Sequence, residues 1–114
     1  MDIQRFSGNA AGRSRAVAFD NLVFTVATAP GSASLQEQTR QVLERIEQNL
    51  TDAGSDKTRL LSATVYLAEI ARKAEMDEVW NKWIGPEHWP QRACVQAGLA
   101  PNTLVEITVI AARR

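Results

Sequence analysis

The stretch Leu60-Leu61-Ser62-Ala63-Thr64-Val65-Tyr66-Leu67 decides the fold. Its alternation is that of a β-strand, with Leu61, Ala63, Val65 and Leu67 toward one side and Leu60, Ser62, Thr64 and Tyr66 toward the other. The segments on either side read as helices. Upstream, Ser34 and Glu37 make a capping-box pattern. Leu35, Val42, Leu43, Ile46 and Leu50 then fall on one helical stripe, and Gly54 is a natural stop. Downstream, a second helix is predicted from about Ala71 to Ile84, with Met76, Val79, Trp80, Trp83 and Ile84 as its apolar face and Gly85-Pro86 as its end. A strand held between two helices is the hinge of two crossover connections.

Working outward, Ile3 to Phe6 reads as a short edge strand and Ser7 to Gly12 as a loop. Arg15 to Phe19 and Leu22 to Thr28 read as strands joined at the turn-forming pair Asp20-Asn21, with Pro30-Gly31 closing the second. Gln91 to Leu99 and Leu104 to Ala111 are the last two strands, separated by Ala100-Pro101-Asn102-Thr103. The order β-β-β-α-β-α-β-β specifies an α+β fold, a mixed six-stranded sheet with both helices on one face, because right-handed crossovers put them there. The other face is assigned Leu60, Tyr66, Cys94 and Ile110, mixed with Ser62, Thr64, Arg92, Gln96, Glu106 and Thr108. A half-solvated face is the ordinary reading of such a surface. Its apolar content favours a subunit interface with a wet pocket.

Composition narrows the function. The chain of 114 residues reads as one domain spanning 1–114, with the 45% hydrophobic and 23% charged residues of a globular protein. Thirteen Lys and Arg balance 13 Asp and Glu, so no net charge draws it to nucleic acid or to an anionic membrane. Cys94 is the single cysteine, which fits a reducing compartment. Neither a secretory leader in Met1 to Phe6 nor an apolar run of about 20 residues is evident, and a cytoplasmic location is expected. One histidine, His88, without a cysteine cluster, makes a metal site improbable. The glycine-rich nucleotide signatures and the G-x-S-x-G elbow are missing, and no cofactor is expected. Trp80, Trp83 and Trp89 read as packing rather than as a base-stacking platform.

Chemistry concentrates in the last two strands. Alternation puts Arg92, Cys94 and Gln96 on one face, and Glu106 and Thr108 share a face of the final strand. If these strands pair as antiparallel neighbours, Arg92 and Glu106 point into one region. A guanidinium fork matches a carboxylate, and a carboxylate can hold or deprotonate a water. From spacing alone, a structural Arg92–Glu106 ion pair is the more ordinary reading. Cys94 beside Arg92 is open to a thiolate role, but a packing role is favoured.

Pro90-Gln91-Arg92-Ala93-Cys94-Val95 followed by Val105-Glu106-Ile107 resembles the Rid/YjgF family of small imine deaminases. Ala53-Gly54-Ser55-Asp56-Lys57, Gln38-Thr39 and Ala63-Thr64-Val65-Tyr66-Leu67 agree in order. Trp80-Asn81-Lys82-Trp83 and Val95-Gln96-Ala97-Gly98-Leu99 look like its short YoaB-like branch. The resemblance implies a homotrimer with a fold similar to that of the trimeric bacterial chorismate mutase: three sheets packed into a barrel, helices outside, clefts between subunits. It further implies hydrolysis of 2-imino carboxylates to 2-keto acids and ammonium without a metal or organic cofactor. By position, Arg92 would clamp the substrate carboxylate, Glu106 would orient the water, and backbone near Cys94 would touch the substrate. The chain departs from the family where Arg13 stands for a tyrosine and Asp77 for an asparagine. Arg13 would then be a second substrate-binding cation, suited to a more acidic ligand. The alternative on the same fold is a binding protein that holds a small 2-keto acid without turnover. An RNA-cleaving role, another label attached to the family, is disfavoured by the balanced charge.

Overall fold

The computed structural model describes residues 2–114. Its strands are β1 (Ile3–Ser7), β2 (Ser14–Phe19), β3 (Leu22–Thr28), β4 (Leu60–Leu67), β5 (Gln91–Gln96) and β6 (Val105–Ala112), and its helices are α1 (Leu35–Asp52) and α2 (Lys73–Trp83). The α+β architecture and the element order match the expectation. All the strands join one sheet in the order β1-β2-β3-β6-β4-β5, in which only the β4–β5 pair is parallel.

Local chemistry accounts for the element ends. The Ser34 hydroxyl accepts the Glu37 backbone N–H at the start of α1, at 3.2 Å. The reciprocal half of the capping box is absent, because Glu37 turns outward to Arg40 and Gln41. Those two donors hold the Glu37 carboxyl down at about 2. At the other end Gly54 takes φ +86°, Ser55 N donates to Leu50 O, and Gly54 N donates to Thr51 O. This paired closure needs a residue free to enter the left-handed region. The β2–β3 hairpin closes through Asp20-Asn21, with Asp20 at φ 54°.

The core lies between α1, α2 and one sheet face. Val42, Leu43, Ile46 and Leu50 of α1 pack with Met76, Trp80 and Ile84 onto Val23, Ala63, Val65, Leu67, Val105, Ile107 and Val109. Gln38 is fully buried and completely satisfied. Its amide donates to the carbonyls of Gly31, Ala33 and Asn102, and its Oε1 accepts from Leu104 N at 3.0 Å. It ties the loop after β3 and the loop before β6 to the first helix.

Several expectations are corrected. First, β5 and β6 are not neighbours: β6 inserts between β3 and β4, and β5 lies at the sheet edge beside β4. Second, Leu60 is buried and Leu61 is exposed. The register skips a residue between Leu60 and Ser62, and this bulge reverses the alternation at the start of β4. Third, β5 stops at Gln96 rather than Leu99, because its partner β4 ends at Leu67, whose carbonyl accepts the last bond from Ala97 N. Helix α2 begins at Lys73, after a turn of 3₁₀-helix at Ile70–Arg72.

The face turned from the helices carries Phe24, Val26, Thr28, Ser62, Thr64, Tyr66, Ala93, Val95, Glu106, Thr108 and Ile110. Phe24 and Val95 are each more than two-fifths exposed. Leu60, Arg92, Cys94 and Gln96 do not belong to it. They align with Ala111, Ala63, Val65 and Leu67, which face the helices.

Candidate functional site

Arg92 lies on edge strand β5 with its side chain turned toward α2. Its Nη2 donates to Asp77 Oδ1 at 2.7 Å, and its guanidinium carbon stands 5.3 Å from the centre of the Trp80 ring. A guanidinium over an indole face is favourable and fixes the plane of the fork. The only hydrogen-bond partner of Nη1 among the described residues is the Met76 sulfur, at 3.9 Å, a weak acceptor. The side chain is 19% exposed and lines a cavity of about 310 Å³ with Trp80, Asn81, Trp89 and Pro90. Part of the fork is therefore committed to a carboxylate, while another part opens onto a small cleft without an oxygen partner.

Asp77 also takes a bond from Lys73 Nζ, at 2.7 Å, one turn earlier on α2. Partial burial pushes its carboxyl up, but the bonds from Lys73 and Arg92 outweigh that and hold it below the usual carboxylate range. It is an anion at neutral pH. Burial pushes the Cys94 thiol up, against the opposing field of Arg92. The thiol packs against the core beside Arg92. Because β5 is an edge strand, its outward backbone groups have no strand partner within the protomer.

Glu106 lies on the other side of the sheet. It is paired in register with Thr28 of β3 and Tyr66 of β4, on the face turned from the helices. Arg92 and Glu106 are therefore separated by β4 and by the sheet itself, and the expected Arg92–Glu106 pair does not form in one protomer. The pairing failed at its premise, the adjacency of the last two strands.

Arg13 is exposed, at the end of the loop after β1, and lines a second cavity of about 550 Å³ with Asn9, Arg15, Thr28, Arg45 and Asn49. Thr28 links this cavity to Glu106 through the β3–β6 pairing. Arg15 is held there by a bulge. Ser7 pairs with Ser14 while Phe6 pairs with Ala16, so Arg15 is skipped and turned toward α1. It bonds Asn49 Oδ1 and Asp52, each at 2.8 Å, and Ser7 O at 3.0 Å, and it lies over the Phe6 ring. Asn49 in turn donates to Thr25 Oγ1, which donates to Arg15 O.

Sequence reading missed Asp77 as the partner of Arg92, Trp80 as its platform, and Arg45 altogether. Asp77 and Trp80 are one helical turn apart on α2, a spacing that puts both on one face. Only the packing of α2 against β5 shows that this face meets Arg92.

Residues 7–113 match the family model described as Endoribonuclease L-PSP. A RutC family protein, YoaB, of Escherichia coli is 34% identical over 113 residues, covering 98% of this chain and 99% of the relative. A RutC family protein of Haemophilus ducreyi is 45% identical over 82 residues, 71% of this chain and 70% of the relative. The crystal structure of a YjgF-family protein from Neisseria meningitidis superposes with a TM-score of 0.92 at 39% identity, covering 100% of this chain and 97% of that one.

Proposed function

The chain belongs to the Endoribonuclease L-PSP family, the group that includes the YjgF and RutC proteins, and on that footing we propose that it is an enamine/imine deaminase acting on small 2-imino carboxylates at clefts between the subunits of a homotrimer. The observation that carries this reading is the half-committed guanidinium of Arg92, braced by Trp80 and Asp77 and open to a small cleft. The fork takes the substrate carboxylate on the donors that Asp77 leaves unused.

Arg92 and Glu106 act on one substrate only if two protomers supply them, since each lies on its own side of the sheet. The trimer therefore completes the site: one protomer contributes Arg92, its neighbour contributes Glu106 and the Arg13 cavity. Glu106 accepts a proton from a water whose oxygen adds to the imine carbon. With the imine protonated, that proton passes from Glu106 to the nitrogen of the tetrahedral adduct; the carbon–nitrogen bond then breaks as the hydroxyl oxygen becomes the keto carbonyl, and the hydroxyl proton leaves with the nitrogen as ammonium. The imine carbon is already electrophilic, so the chain's part is to position the carboxylate and the water.

Generating the imine in situ with an amino-acid oxidase and following keto-acid release tests the proposal. Wild type should accelerate hydrolysis over buffer, and Arg92→Ala should lose at least about tenfold of that acceleration, the worth of one charge-assisted contact. A wild-type rate equal to buffer would overturn it. One observation favours the non-catalytic reading: Asp77 already neutralises part of Arg92. Calorimetry showing Arg92-dependent affinity for pyruvate, with no turnover of the imine, would establish a binding protein instead.

A further inference from the structure

The cavity at the end of β3 has a charge pattern that the chain as a whole lacks. Three arginines line it (Arg13, Arg15 and Arg45), and no carboxylate does. The rest of the lining is small or neutral, including Asn9, Thr28, Pro30 and Asn49. Arg15 is spoken for by Asp52, Asn49 and the Ser7 carbonyl. Arg45, on α1, donates one Nη1 hydrogen bond to the Thr28 carbonyl, which anchors it at the cavity wall, and has no ion pair among the described residues. Arg13 has neither a hydrogen bond nor an ion pair among the described residues. In a chain with zero net charge, where most other arginines hold a carboxylate, two unneutralised guanidiniums in one concave site are a specific concentration of positive charge.

We propose that Arg13 and Arg45 form an anion subsite for a second acidic group on the ligand, so that the preferred substrates are imines of dicarboxylic 2-keto acids rather than of simple monocarboxylic ones. This rests on the proposed clamp at Arg92, which takes the 2-carboxylate from the neighbouring protomer. The cavity volume of about 550 Å³ leaves room for a chain bearing a terminal carboxylate. Guanidinium forks suit that group better than ammonium ions do. The shared requirement is a terminal anion, and a phosphonate of similar size carries the same charge type.

Calorimetry at low ionic strength with the intact protein tests the subsite. The probes are pyruvate, oxaloacetate, 2-oxoglutarate and 3-phosphonopyruvate, against wild type, Arg13→Ala, Arg45→Ala and Arg92→Ala. Wild type should bind one of the two dicarboxylates at least about tenfold more tightly than pyruvate, the size of one charge-assisted pair. That ratio should collapse to within about twofold in Arg13→Ala and fall in Arg45→Ala, and it should shrink as salt is raised, because both cations are exposed. Both side chains lie at the surface, so unchanged melting temperatures are expected and confirm folded variants. A wild-type ratio near one, or a ratio that survives both substitutions, overturns the subsite. A preference confined to phosphonopyruvate overturns the dicarboxylate assignment. If Arg92→Ala leaves every affinity unchanged while Arg13→Ala still removes the preference, the Arg92 clamp fails and the anion subsite stands.

Discussion

Asp77 sets the state of Arg92. It presents to the guanidinium the group that a substrate would bring, at 2.7 Å, and is itself held by Lys73. Asp77→Asn keeps a hydrogen-bond acceptor but removes the competing charge, and should raise the affinity for pyruvate severalfold by calorimetry. The same substitution tests the titration. The folded carboxyl lies below its ordinary value of 3.8, so its ion pairs stabilise the fold above that pH and are lost as pH falls through the lower folded value. Urea midpoints measured from neutral pH down to about pH 3 should fall less steeply in Asp77→Asn than in wild type. Gln38 carries a structural prediction at the same scale. Gln38→Met preserves volume but strands the Leu104 N–H and removes the donor to three carbonyls, and should cost about 1–3 kcal/mol in chemical denaturation.

Helix α1 was legible nearly residue for residue, since its apolar stripe, its Ser34 cap and its Gly54 stop are local signals. Ile46 is fully buried at the centre of that stripe. Ile46→Ala should destabilise the protein by about 2–5 kcal/mol, read as a lower urea midpoint with unchanged slope. The strands were legible as strands, but their sides were not all legible. Arg92, Ala93, Cys94 and Val95 alternate equally well in either orientation, and at a sheet edge neither side is enclosed enough to force the choice. What decides it is α2, which offers Arg92 a carboxylate and an indole face. Val95 is thereby turned to the open side of the sheet.

For the whole molecule, the open sheet face is the feature on which the proposed trimer rests. The helices cover one side, and the other leaves Phe24 and Val95 more than two-fifths exposed beside Val26, Tyr66 and Ile110. In the proposed trimer this surface is buried and the half-sites around Arg92 and Glu106 meet. Phe24→Lys should therefore shift the sedimentation coefficient from trimer to monomer and abolish imine hydrolysis together with it. A variant that stays trimeric and active would remove the face from the interface.

The sequence by itself determined the elements, their order and the placing of both helices on one face of the sheet. These follow from periodicity, caps and crossover handedness, which act over a turn or a few strands' length. The tertiary structure alone decided that β6 inserts between β3 and β4, because strand pairing is a contact between residues far apart in the chain that no local pattern encodes. That one insertion separates Arg92 from Glu106, gives Arg92 to Asp77 and Trp80, and places Glu106 beside the strand that borders the Arg13 cavity.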